Sequence, residues 1–277
     1  MAPATGSSRP SAQAFRSAWV SVLRFGLCVC LISLLLSFLA LPWLQLSWWR
    51  VFRRCVSIGT IISLWICATR FEHRSLSSYG LSGWRGAGQR QFLVGIVGGL
   101  AALGLLLAVG LASGSCTLHL TPDQRKLWLV LLGFLPAAPL VGLLEELAFR
   151  GFLLQHLMDW SRPMAVVISS ALYAVVLLKT TWTDATPREL FGLFLLGVVL
   201  AVATLRTGQL YLSIGLHAAL AYGARVNKVL IEFSDASSGW LVGTSRLVNG
   251  IASWVVLVII GAIVVWRTQP QRRGGTG

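Results

Sequence analysis

Val141-Gly-Leu-Leu-Glu145-Glu146-Leu-Ala-Phe-Arg150-Gly151 places two adjacent carboxylates and an arginine inside an otherwise apolar run. The apolar pattern begins before it, near Leu127, and continues after it through Gly151-Phe-Leu-Leu154. An ionisable group at membrane depth costs roughly 2.5–3.5 kcal/mol on insertion scales, so a pair of them is expected to have a function. Arg150 follows Glu146 by four residues, the orientation that favours an ion pair along a helix. Glu145 is turned by about 100° from Glu146 and cannot share that contact equally. The spacing therefore predicts that Arg150 holds Glu146 while Glu145 faces a cavity. The plainer alternative is a cytoplasmic helix end with snorkelling charges. The apolar residues on both sides of the charges favour the buried site.

Composition sets the rest of the chain in lipid. Of 277 residues, 56% are hydrophobic and 12% charged, against about 25% charged in soluble domains. Mean hydropathy is +0.75. These values predict an all-α, polytopic membrane helix bundle of about eight transmembrane helices, with no room for a sizeable soluble domain. The net charge of +14 does not signal nucleic-acid binding, because the basic residues are scattered between apolar runs. They read as juxtamembrane anchors to anionic headgroups, which makes the lipid bilayer the expected partner. Five cysteines without a CxxC pair, four of them in expected spans, argue against disulfides and zinc fingers.

In order, residues 1–24 read as a disordered basic tail and 25–122 as three membrane spans. Residues 123–223 form a core of four spans, and 224–277 a polar loop, a last span and a basic tail. The spans are expected at Phe25–Leu46, Cys55–Thr69, Phe92–Gly114, Leu127–Phe149, Pro163–Lys179, Leu190–Leu205, Gly208–Tyr222 and Val248–Trp266. Trp43, Trp48 and Trp49 suit an interface. Gly95-Ile-Val-Gly-Gly99 offers a small-xxx-small face for close helix contact. Pro136 and Pro139 are expected to kink the fourth span. Eight spans put both termini on one side, and more than half of the 23 Lys and Arg fall with them if that side is cytoplasmic.

Histidines are few. His73 and His119 fall in loops and His156 at a helix end, whereas His217 lies within the seventh span between Leu216 and Ala218. Intramembrane polar residues tend to face one another across a bundle, so His217 is expected to share a site with Glu145 and Glu146.

Glu145-Glu146-Leu-Ala-Phe-Arg150-Gly151 resembles the EExxxR signature of the CAAX-protease and bacteriocin-processing (CPBP) intramembrane proteases. Arg206-Thr-Gly-Gln-Leu-Tyr-Leu-Ser-Ile-Gly-Leu-His217 is similar to the segment that leads into that family's HxxxN motif, and Tyr79-Gly-Leu81 is a weaker echo. The resemblance runs from about Leu127 to Gly223. It implies an intramembrane endopeptidase that hydrolyses a peptide bond with glutamate-activated water, in a bacterial plasma membrane. Glu145 would be the general base, Glu146 and Arg150 would support it, and His217 would donate to the oxyanion.

Two positions depart from the family pattern. The FxxxH counterpart is Tyr173-Ala-Val-Val-Leu177, with leucine in place of histidine. The HxxxN counterpart is His217-Ala-Ala-Leu-Ala221, with alanine in place of asparagine. An acid/base partner is worth about 10²–10⁴-fold, and an oxyanion donor roughly 10²–10³-fold. Tyr173, Tyr222 and Lys179 are the side chains that offer a substitute. The competing expectation is a catalytically impaired member that binds a peptide or membrane protein as an immunity or scaffold factor. A transporter is disfavoured by the absence of an inverted repeat. No cofactor is evident. Nothing such as HExxH requires a metal, although glutamate and histidine are both metal-ligand types. Substrate sequence, any need for prenylation and oligomeric state are not written in the sequence.

Overall fold

The computed structural model describes residues 12–178, 186–233, 240–243 and 248–268. Lys179, Arg272 and Arg273 lie outside them, as do residues 1–11 of the expected tail. Among the described residues, eight long helices overlap the eight expected spans: α1 Ala12–Leu44, α2 Trp48–Phe71, α3 Gln89–Ala112, α4 Gln124–Met158, α5 Arg162–Leu177, α6 Thr186–Thr207, α7 Tyr211–Leu230, which is less apolar than the rest, and α8 Ile251–Arg267. Five of the apolar segments, ending in α1, α2, α3, α4 and α6, are long enough to cross a membrane, and α5 and α8 are shorter apolar helices. The chain is an integral membrane protein built as a helical bundle.

Several boundaries differ from the sequence reading: α2 begins at Trp48 rather than Cys55, and α4 runs to Met158 rather than Phe149. The tail expected over residues 1–24 is helical from Ala12, because Ala18 is buried and the Phe15 ring packs edge-on against Trp160 at 5.0 Å. The polar loop expected from Ala224 is helical to Leu230, since Asn227 and Val229 still face inward. A two-stranded antiparallel pair, β1 Cys116–Leu118 with β2 Ile231–Phe233, then ties the α3–α4 connection to the end of α7.

Lipid exposure sorts the helices. On α1, Leu23, Leu27, Leu31, Leu35 and Leu39 form an exposed apolar stripe at every fourth residue, the face a helix turns to hydrocarbon. The opposite face is small: Ser33 lies so close to Gly59 of α2 that a Cβ there would meet its hydroxyl at 2.4 Å. Helix α7 behaves in the reverse way. Residues Tyr211 to Ala219 are all buried, enclosed by α3, α4 and α6. A central helix can carry Ser213, His217 and Asn227 because its neighbours, not lipid, surround it.

The most extensive packing is between α3 and α7. Gly95 and Gly99 face α7, where a Cβ on either would meet the Leu212 carbonyl at 2.4 Å or the Ala219 Cβ at 2.5 Å. From the other side, a Cβ on Gly215 would stand 2.2 Å from the Phe92 carbonyl. The small-xxx-small face thus works as a two-sided contact that fixes α7, and with it His217. Gly215→Ala is expected to destabilise the protein by about 1–3 kcal/mol through overpacking. Gly98→Ala, where nothing lies within 4 Å, is expected to change little. Thermal unfolding in detergent measures both, and equal stability of the two variants would contradict this packing.

Helix α4 is a single rod with two wider π-helical turns, Leu129–Gly133 and Leu147–Leu153. The first precedes Pro136, which has no N–H to donate, and includes the Leu131 carbonyl. The Tyr222 hydroxyl of α7 donates to that carbonyl at 2.9 Å. The second wide turn carries Arg150, a common setting for π turns at functional sites.

Candidate active site

Glu146, Arg150 and His217 are buried together where α4 crosses α7. Arg150 Nη1 donates to Glu146 Oε1 at 3.0 Å, the i,i+4 pair that the spacing predicted. The same oxygen lies 2.8 Å from His217 Nδ1. A carboxylate oxygen held by a guanidinium accepts from both neighbours, so Nδ1 carries the proton and Nε2 is directed away. Nε2 lies 3.4 Å from Glu145 Oε2. Glu145 is the most open member, with its side chain 30% exposed. Its Oε2 is turned inward and has no hydrogen bond among the described residues. The structure brings together the four residues expected at one site: hydrogen bonds link Arg150, Glu146 and His217, and His217 Nε2 approaches Glu145. His217 was expected as an oxyanion donor, and in the structure its free nitrogen faces Glu145.

Helices α5 and α6 complete the walls. Arg150 Nη2 donates to the Gly197 carbonyl of α6 at 3.2 Å. Glycine is needed there because a Cβ at 197 would meet Ser170 of α5 at 2.9 Å. The α6 contribution was not anticipated, since a backbone carbonyl has no sequence signature. From α5, the Tyr173 ring lies under the Arg150 guanidinium at 4.3 Å and stands perpendicular to His217 at 6.1 Å. Phe149 meets the same ring edge-on at 5.2 Å. Leu177 is packed against the apolar cluster of Tyr173, Leu193 and Leu216. Of the three substitutes considered, Tyr173 is at the site, Tyr222 is engaged with Leu131, and Lys179 lies outside the described residues.

A second polar cluster braces the C-terminal end of α4. Glu72 lies 2.7 Å from His156 Nε2 and accepts from the Tyr79 hydroxyl, while His156 Nδ1 bonds the Phe152 carbonyl at 2.8 Å. His156, expected at a helix end, is half of a pair that links the end of α2 to α4. Beside it, Gly80 adopts a left-handed turn (φ 98°) and its carbonyl accepts from Leu210 N at 2.9 Å. The Tyr211 hydroxyl donates to the Leu81 carbonyl at 2.6 Å. Tyr79-Gly-Leu81 thus seats the first turn of α7, two turns below His217.

Among the described residues, no group of three or more His, Cys, Asp or Glu is arranged to hold a metal ion. A pocket of about 450 Å³ lies far along α4, lined by Lys126, Phe134 and Arg225 rather than by the carboxylates.

Residues 126–222 match the family model for type II CAAX prenyl endopeptidase Rce1-like proteins. The resemblance carried by EExxxR is thereby confirmed across the segment that contains all four site residues, and it points to a CAAX-type intramembrane protease. No curated protein and no solved structure matches the chain.

Proposed function

We propose that the protein is an intramembrane endopeptidase in which Glu145 and His217 together activate water. The observation that carries this reading is the approach of His217 Nε2 to Glu145 Oε2 at 3.4 Å, with Nδ1 fixed by Glu146 at 2.8 Å. A water that meets both Glu145 Oε2 and Nε2 is oriented by the imidazole and loses its proton to the carboxylate. Its oxygen attacks the carbonyl carbon of a peptide bond presented at the open side of Glu145. When the C–N bond breaks, Glu145 returns the proton to the leaving amine. Glu146 keeps the imidazole in one tautomer and one orientation, and Arg150 balances its buried charge. His217 thus takes on part of the role left vacant by Leu177, as a single imidazole at the water. By the description of the matching family, the substrate class is a peptide ending in a prenylated CaaX sequence, presented from the bilayer. The bacterial membrane and cytoplasmic termini implied earlier form part of this reading, and cysteine accessibility at either terminus tests the orientation.

The assay is cleavage of a quenched fluorogenic peptide with a farnesylated cysteine, by the purified protein in detergent. Wild type is expected to be slow, because Leu177 and Ala221 leave two family groups unfilled. Leu177→His with Ala221→Asn supplies a second water partner and an oxyanion donor, and is expected to raise turnover by at least about 10²-fold. The imidazole introduced at 177 enters an apolar cluster, at a cost of about 1–3 kcal/mol, so unfolding is followed in parallel. A folded double variant no faster than wild type would show that these two positions do not limit the reaction. Binding of the peptide without cleavage by either protein would favour the second reading, a peptide-binding member that has lost catalysis.

A further inference from the structure

Water activation by Glu145 and His217 leaves the peptide carbonyl oxygen without a donor, since the position one turn past His217 is Ala221. On the endopeptidase reading above, we propose that Tyr173 is a catalytic residue whose hydroxyl donates to the oxyanion of the tetrahedral intermediate. The ring is fully enclosed, with 1% of its surface exposed. Three groups fix its plane: Phe149 at its edge, His217 perpendicular to it, and the Arg150 guanidinium 4.3 Å from its centre. All three contacts are made by the ring and none engages the hydroxyl. Buried tyrosine hydroxyls seek a hydrogen-bond partner.

Position supports the same assignment. The Tyr173 ring stands beside His217, whose Nε2 approaches Glu145, and a substrate carbonyl must come to this place if water on Glu145 is to attack it. A donor held rigid before the reaction needs little reorganisation when charge develops, which is the source of oxyanion stabilisation. The chemistry balances. The water proton moves to Glu145, its oxygen bonds to carbon, and the carbonyl electron pair moves to an oxygen that accepts from Tyr173. Collapse breaks the C–N bond, the amine takes the proton from Glu145, and Tyr173 is unchanged. The family motif has phenylalanine at this position, so the hydroxyl is this chain's addition, and it accompanies the loss of asparagine at 221.

Tyr173→Phe tests the proposal with the family's own residue, which keeps the packed ring. For the farnesylated peptide, kcat is expected to fall about 10²–10³-fold with KM little changed. In the Leu177→His/Ala221→Asn background the loss is expected to shrink to below about tenfold, because asparagine supplies a second donor. If phenylalanine lowers the unfolding temperature, 3-fluorotyrosine at 173 preserves the shape and alters only the donor, and an unchanged kcat overturns the assignment. A folded Tyr173→Phe protein as fast as wild type overturns it too, while Glu145-dependent cleavage would leave the endopeptidase reading standing. Wild-type protein without Glu145-dependent cleavage overturns both.

Discussion

Glutamine in place of Glu145 is expected to cut the rate of peptide cleavage by about 10²–10⁴-fold while leaving the fold intact. Glutamine keeps the shape and volume of the side chain but cannot take a proton from water. Stability is expected to hold for two reasons. Glu145 is partly exposed, and its Oε2 makes no hydrogen bond among the described residues that the amide would break. It also adjoins Glu146, so removing its charge relieves a like-charge contact. His217 remains anchored to Glu146 at 2.8 Å in the variant, which isolates the loss of the base from any loss of imidazole orientation. The measurement is single-turnover cleavage beside thermal unfolding. A Glu145→Gln protein that keeps more than a tenth of the wild-type rate would remove Glu145 from the base role and with it the mechanism.

Much of this site was legible because charge is expensive in lipid. Glu145, Glu146, Arg150 and His217 stand out from the apolar sequence, and the i,i+4 spacing identifies which carboxylate the arginine takes. What could not be read is how the histidine divides its two nitrogens. That depends on the crossing of α4 and α7, where a Cβ on Gly142 would stand 3.1 Å from the Ile214 carbonyl, and on the packing of α3 against α7 around Gly95, Gly99 and Gly215. The same limit applies to Gly197, a backbone acceptor brought to Arg150 by close contact between α5 and α6. Helix positions followed from hydropathy. Helix ends did not, because Ala12–Arg24 and Ala224–Leu230 are held helical by tertiary contacts rather than by composition.

Replacing Arg150 is expected to produce the largest loss of stability in the chain. The guanidinium and the Glu146 carboxylate are 1% and 0% exposed. Removing one partner of such a pair leaves an uncompensated buried charge and costs about 3–5 kcal/mol. Arg150→Met also removes the bond to the Gly197 carbonyl and the cation over Tyr173, so α4, α5 and α6 lose a common tie. Arg150→Lys keeps the charge, but a single ammonium cannot reproduce the fork that reaches Glu146 and Gly197 at once, so partial recovery is expected. Activity separates two meanings of this pair. With Arg150→Met alone, Glu146 is left to take up a proton, and its hold on His217 Nδ1 weakens. With Glu146→Gln added, no buried charge remains. Much of the lost stability is then expected to return, while cleavage stays low because a neutral amide no longer fixes the imidazole as a carboxylate does. Unfolding temperatures of the two single variants and the double variant, read beside cleavage rates, form the double-mutant cycle that measures the coupling. Additive effects of the two substitutions would mean that the pair is not the structural tie that its burial and geometry indicate. A fully active double variant would mean that His217 is oriented by something other than Glu146.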